Sequence, residues 1–142
     1  MPRNEKLRMF IRIALIAIVL FGLWGAGRLS YDQFQSGEAC PVLGDMVPAC
    51  YIAFGGYVLI ALGVAISILM PGVAGSYLFW GGTFVAGGLA ALATVLELIK
   101  GGICPVGPYG IPMCYISLAF SIVIAVLFMI QATNQVVPPD QV

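Results

Sequence analysis

The stretch Cys40-Pro-Val-Leu-Gly-Asp-Met-Val-Pro-Ala-Cys50-Tyr-Ile52 occurs a second time as Cys104-Pro-Val-Gly-Pro-Tyr-Gly-Ile-Pro-Met-Cys114-Tyr-Ile116. Cys104 lies 64 positions after Cys40, and seven of the thirteen positions agree between the copies. All four cysteines of the chain fall in these two segments. Self-similarity at a fixed offset marks a chain built from related units, so the sequence reads as two tandem halves. The flanks of each copy then decide the fold. Each second cysteine opens a long apolar run, and each first cysteine ends a polar or glycine-rich connection.

Composition sets the surroundings. Of the 142 residues 61% are hydrophobic and only 8% charged, whereas soluble domains carry about 25% charged residues. With a mean hydropathy of +1.06, the chain reads as an integral membrane protein. Formal net charge is zero and no basic patch is present, which argues against nucleic acid as a partner. Histidine is absent. That removes imidazole ligation and the commonest general base, so no haem or metal is expected, and any chemistry must use thiols, carboxylates, hydroxyls or a bound cofactor.

In chain order, a basic N-terminal segment (1–8) and Arg12 hold four of the six basic residues: Arg3, Lys6, Arg8 and Arg12. An apolar run from Met9 to about Leu29 follows, long enough to cross a hydrocarbon core of about 30 Å at 1.5 Å per residue. A signal peptide shares the charged start, but this run is long for its apolar region. Further spans are expected over Cys50–Met70, Tyr77–Ile99 and Cys114 to about Ala132. They are separated by a polar loop (31–49), an uncharged turn (71–76) and the second cysteine loop (101–113), with a C-terminal tail at 133–142. The fold class that results is all-α: a polytopic four-transmembrane-helix bundle built from two tandem two-helix repeats, approximately 9–70 and 77–132. In the third span Gly82, Ala86, Ala90 and Thr94 recur every fourth residue. Such a small-residue stripe lets a second helix approach closely.

The positive-inside rule places the basic start, and with four spans also the C-terminus, in the cytoplasm. Both cysteine loops then face the extracytoplasmic side, where disulfides persist. Pairing of Cys40 with Cys50 and of Cys104 with Cys114 is the simplest arrangement, and crossed pairs stay open if the loops touch. Two roles are possible. The bonds staple the loops, each contributing about 2–3 kcal/mol by loop closure, or one pair exchanges electrons. Nine intervening residues favour the staple over the usual Cys-x-x-Cys arrangement. The position of Cys50 and Cys114 at the start of spanning helices, where the dipole stabilises a thiolate, favours exchange.

Val47-Pro-Ala-Cys50-Tyr-Ile-Ala-Phe-Gly-Gly-Tyr57 and Gly110-Ile-Pro-Met-Cys114-Tyr115 resemble the Gly-Ile-Pro segment that opens a spanning helix in the vitamin K epoxide reductase family. The four-helix layout with two outer cysteine pairs is also similar to that of the bacterial disulfide-forming DsbB proteins. The resemblance covers the architecture and about ten residues in each half. It implies a membrane thiol–disulfide oxidoreductase that takes electrons from an extracytoplasmic thiol protein through loop cysteines to quinone. Cys50 and Cys114 would then be nearest the quinone, with Cys40 and Cys104 as their loop-borne partners. The chain departs from both families in lacking Cys-x-x-Cys and in the near-symmetry of its halves.

Other candidates carry two readings each. Glu97 is the one carboxylate within a span, either a cofactor contact or a group that snorkels or pairs with Lys100. Arg28 suits a quinone carbonyl or a lipid phosphate. Tyr51 and Tyr115, beside the helix-start cysteines, suit quinone binding or the interfacial aromatic belt. The functions left open are a quinone-linked oxidoreductase, a non-catalytic subunit that assembles with other membrane subunits, and a small transporter.

Overall fold

The structure is a computed structural model that describes residues 3–43, 47–70 and 72–136. Four helices make up its bulk: α1 (Arg3–Ser36), α2 (Ala49–Leu69), α3 (Val73–Lys100) and α4 (Met113–Val136). All are long and apolar enough to span a membrane. This is the all-α four-helix architecture expected from the hydropathy pattern. Each helix packs on the next and α1 also packs on α4, so the bundle is a closed ring. The chain runs up, down, up and down, which brings the Cys40 and Cys104 loops to one end and the α2–α3 turn to the other.

The helices overrun the apolar segments at several ends. α1 continues through the polar residues Tyr31–Ser36, because backbone hydrogen bonding continues until something stops it, whatever the side chains are. Gly37 stops it, with φ +71° and its amide donating to the Gln33 carbonyl at 2.8 Å. Gly101 ends α3 the same way, with φ +68° and an amide bond to the Glu97 carbonyl at 2.8 Å. Only glycine adopts this left-handed geometry without steric cost. At the other end of the bundle α3 begins at Val73, so the expected 71–76 turn is shorter than its glycines suggest. α4 runs into the expected tail, and residues 137–142 of that tail lie outside the described residues.

The core is a column of side chains from all four helices: Leu15 and Val19, Tyr57, Ile60 and Val64, Phe79 and Ala86, Ile124 and Phe128. Phe79 and Phe128 stack with ring centroids 3.7 Å apart and planes 10° from parallel. In lipid the apolar surroundings offer no transfer gain, so helix association depends on close van der Waals contact. The α2–α3 pair achieves it with glycine. A Cβ at Gly56 would stand 3.0 Å from the Ala86 amide nitrogen, and one at Gly63 would stand 2.7 Å from the Phe79 Cα. The stripe of Gly82, Ala86, Ala90 and Thr94 is buried as expected. Gly82 and Ala86 of the stripe meet Gly56, and Gly82 also meets Ile60, while Gly63 of α2 faces Gly75 and Phe79 nearer the start of α3.

Candidate functional site: two disulfide loops at one end of the bundle

Each loop connects an upward helix to a downward one and must satisfy its own backbone groups at the membrane surface. The first uses a short antiparallel hairpin, β1 (Val42–Leu43) against β2 (Val47–Pro48), in which Val42 pairs with Pro48 and Leu43 with Val47. The second has the equivalent bridge, Val106 with Pro112. Outside each bridge the first helical residue closes the loop. The Ala49 amide donates to the Pro41 carbonyl and the Met113 amide to the Pro105 carbonyl, both at 3.0 Å. Proline fits these positions, because its fixed φ suits an extended segment and it carries no amide to satisfy.

The cysteines pair within each loop, Cys40 with Cys50 and Cys104 with Cys114. The Cα atoms are 6.1 Å apart in both bonds, within the range a disulfide spans. Exposure divides each pair in the same way. Cys40 and Cys104 are buried, with 7% and 4% of their surface accessible. Cys50 and Cys114 are half-buried in the first turns of α2 and α4, where the amides of a helix start have no intrahelical acceptor.

A second fastening, absent from the expectations above, ties each loop to the preceding helix. Gln33 Oε1 accepts the Cys40 amide at 2.7 Å, while Gln33 Nε2 donates to the Gly37 carbonyl at 2.9 Å. Glu97 stands 64 positions later and does the same work with a charge. Its Oε2 accepts the amides of Ile103 at 2.7 Å and Cys104 at 2.9 Å, and its Oε1 accepts Gly102 at 3.0 Å. The carboxylate thus neither pairs with Lys100 nor snorkels free. Ser30 adds a contact between helices, with its hydroxyl 2.9 Å from the Ala26 carbonyl and 3.2 Å from that of Cys50. The signal for Gln33 and Ser30 was available in the sequence, because the cysteine offset aligns them with Glu97 and Thr94.

The remaining candidates spread out. Tyr51 is exposed and Tyr115 half-buried, each beside its helix-start cysteine. Arg28 lies on the exposed side of α1. Two residues along a helix rotate by about 200°, so Ser30, not Arg28, faces Cys50.

Removing the second fastening has a direct readout. Glu97→Ala leaves three loop amides without their acceptor, and hydrogen exchange at Ile103 and Cys104 is expected to accelerate about tenfold or more. Unchanged protection at both amides would mean that the carboxylate does not hold the loop.

No protein-family model, curated protein or solved structure matches this chain.

Proposed function

We propose that this membrane protein is a thiol–disulfide oxidoreductase, passing electrons from an extracytoplasmic dithiol to quinone. The observation that carries the reading is the shared asymmetry of the two bonds: the more exposed cysteine of each pair is Cys50 or Cys114, in the first turn of a spanning helix. A helix start favours the thiolate, the reactive form. At the membrane surface it is also where a lipid-soluble oxidant meets a water-borne thiol.

The chemistry balances with the partner dithiol as reductant and quinone as oxidant. A partner thiolate attacks the helix-start sulfur, forming a mixed disulfide and releasing the buried cysteine as the leaving thiolate. The partner's second thiol resolves the mixed disulfide and departs oxidised, leaving both loop cysteines reduced. As the loop disulfide re-forms, two electrons and two protons pass to quinone. The helix-start cysteine is the sulfur attacked and later released as a thiolate, the buried cysteine is the first leaving group and closes the loop disulfide again on reoxidation, and the neighbouring Tyr51 or Tyr115 hydroxyl donates a hydrogen bond to a quinone oxygen. The net reaction converts a dithiol and a quinone into a disulfide and a hydroquinone.

The reading requires both loops to be extracytoplasmic and both termini cytoplasmic, as the four basic residues of the first twelve positions favour. After reduction of intact cells, a membrane-impermeant maleimide is expected to label the loop cysteines. Labelling only in permeabilised cells would invert the orientation. The activity itself is tested by reducing the purified protein and adding quinone without oxygen, with one hydroquinone expected for each disulfide re-formed.

A second reading has its own support, because the Gln33 and Glu97 fastenings immobilise loops that an exchange enzyme has reason to keep mobile. On that reading the protein is a non-catalytic subunit of a membrane complex whose outer loops are stapled, and quinone leaves the reduced protein unchanged.

A further inference from the structure

We infer that the two disulfides are unequal: Cys40–Cys50 is the bond that exchanges and Cys104–Cys114 the one that stays closed, because Glu97 sets a carboxylate against Cys104 where Gln33 sets a neutral amide against Cys40. The assignment of roles rests on the thiol-exchange reading above, whereas the difference in reducibility stands without it.

In both loops an incoming thiolate reaches Cys50 or Cys114 more readily, since their partners are buried. Attack forms a new sulfur–sulfur bond at that atom, breaks the loop disulfide and moves the electron pair onto Cys40 or Cys104. The rate depends on how well that leaving thiolate is tolerated. At Cys104 the new charge develops beside an existing one, since Glu97 Oε2 is 2.9 Å from the amide nitrogen of the same residue. That amide points at the carboxylate and is not free to stabilise the thiolate. At Cys40 the corresponding acceptor, Gln33 Oε1 at 2.7 Å, carries no net charge. Cys104 is only 4% accessible whereas Glu97 is half-exposed, so solvent and salt screen the repulsion in part. Among the described residues the other charges near the loops, Asp32, Glu38 and Lys100, are exposed, and salt largely screens them; Asp45 of the first loop lies outside the described residues.

Glutamine and glutamate have nearly the same shape, so exchanging them moves the charge while keeping an oxygen for the cysteine amide. The purified full-length protein in detergent is treated with dithiothreitol, quenched with a thiol-alkylating reagent at intervals, and each pair is followed by peptide mass. Glu97→Gln is expected to speed opening of Cys104–Cys114 by about tenfold or more and to reduce the salt dependence of that rate. Gln33→Glu is expected to slow Cys40–Cys50 by a similar factor. Amide exchange at Cys104 and Cys40 reports whether each loop remains folded, and if Gln33→Glu fails that check, Glu97→Gln decides alone. The inference is overturned if Glu97→Gln, with its loop intact, leaves the Cys104–Cys114 rate and its salt dependence unchanged or slows the opening. Since no quinone is present, this result is independent of the reoxidation test of the proposed activity.

Discussion

Replacing Gly82 with leucine is expected to abolish the folded bundle, because the position has no room for any side chain. A Cβ there would lie 2.5 Å from the Gly56 carbonyl oxygen and 2.7 Å from the Ile60 amide nitrogen. Both obstacles are backbone, so relief requires that α2 and α3 separate. That separation would also break the buried column in which Ile60 and Phe79 are fully enclosed. Even Gly82→Ala is expected to lose about 1–3 kcal/mol, the usual range for overpacking a close contact. Gly63→Ala should behave alike, since its Cβ would meet the Phe79 Cα at 2.7 Å and the Gly75 carbonyl oxygen at 2.8 Å. Gly81→Ala is the control, with nothing within 4 Å of its Cβ. Thermal unfolding in detergent separates these outcomes. A stable Gly82→Leu protein would show that the two helices are not in backbone contact.

The same glycines show where sequence reasoning reached and where it stopped. Spacing alone exposed the Gly82, Ala86, Ala90 and Thr94 stripe, because period four on an apolar helix marks one face. For the adjacent pairs Gly55-Gly56, Gly81-Gly82 and Gly87-Gly88 spacing alone does not select a face, since neighbouring residues point about 100° apart. The structure places Gly56 and Gly82 at the α2–α3 contact and Gly87 against the Ser121 side chain of α4, leaving Gly55, Gly81 and Gly88 open.

Four spans and two cysteine loops were legible for a similar reason: long apolar runs have one stable arrangement in a bilayer. The helix ends were less legible. The Gly37 and Gly101 caps depend on backbone geometry that the polar residues before them conceal. Glu97 was recognised as unusual from its place in an apolar run, but its role was not. Its partners are backbone amides of the loop that follows, and a backbone amide leaves no mark in a sequence. Gln33 carries no such mark, being an uncharged polar residue in a polar segment, although the 64-residue offset pairs it with Glu97.

The second large effect separates catalyst from staple within one protein. Cys50→Ser is expected to reduce quinone-dependent thiol oxidation at least about 10³-fold, as loss of the group that forms the covalent intermediate generally does. A serine hydroxyl at that position can neither accept the partner's thiol nor re-form the bond to Cys40. The four helices should still assemble, because the α2–α3 glycine contact and the core column do not involve the loops. Cys114→Ser is expected to retain most of the turnover while losing about 2–3 kcal/mol of stability, the contribution of closing a loop of this length. Turnover and thermal unfolding measured together on both variants provide the comparison. Equal loss of activity in both would mean that electrons pass through the two bonds in series. Loss of stability alone in both would leave two staples.

The most direct measurement is the redox equilibrium of each disulfide in the intact protein, read by alkylation and mass after incubation in buffers of defined thiol–disulfide ratio. A bond that must be reduced and reoxidised in every cycle sits near its partner's potential, whereas a structural disulfide lies below about −300 mV. The account predicts that Cys40–Cys50 titrates above that limit and re-forms when quinone is added, with Cys104–Cys114 still closed. Both bonds remaining oxidised throughout that range, with no response to quinone, would contradict it.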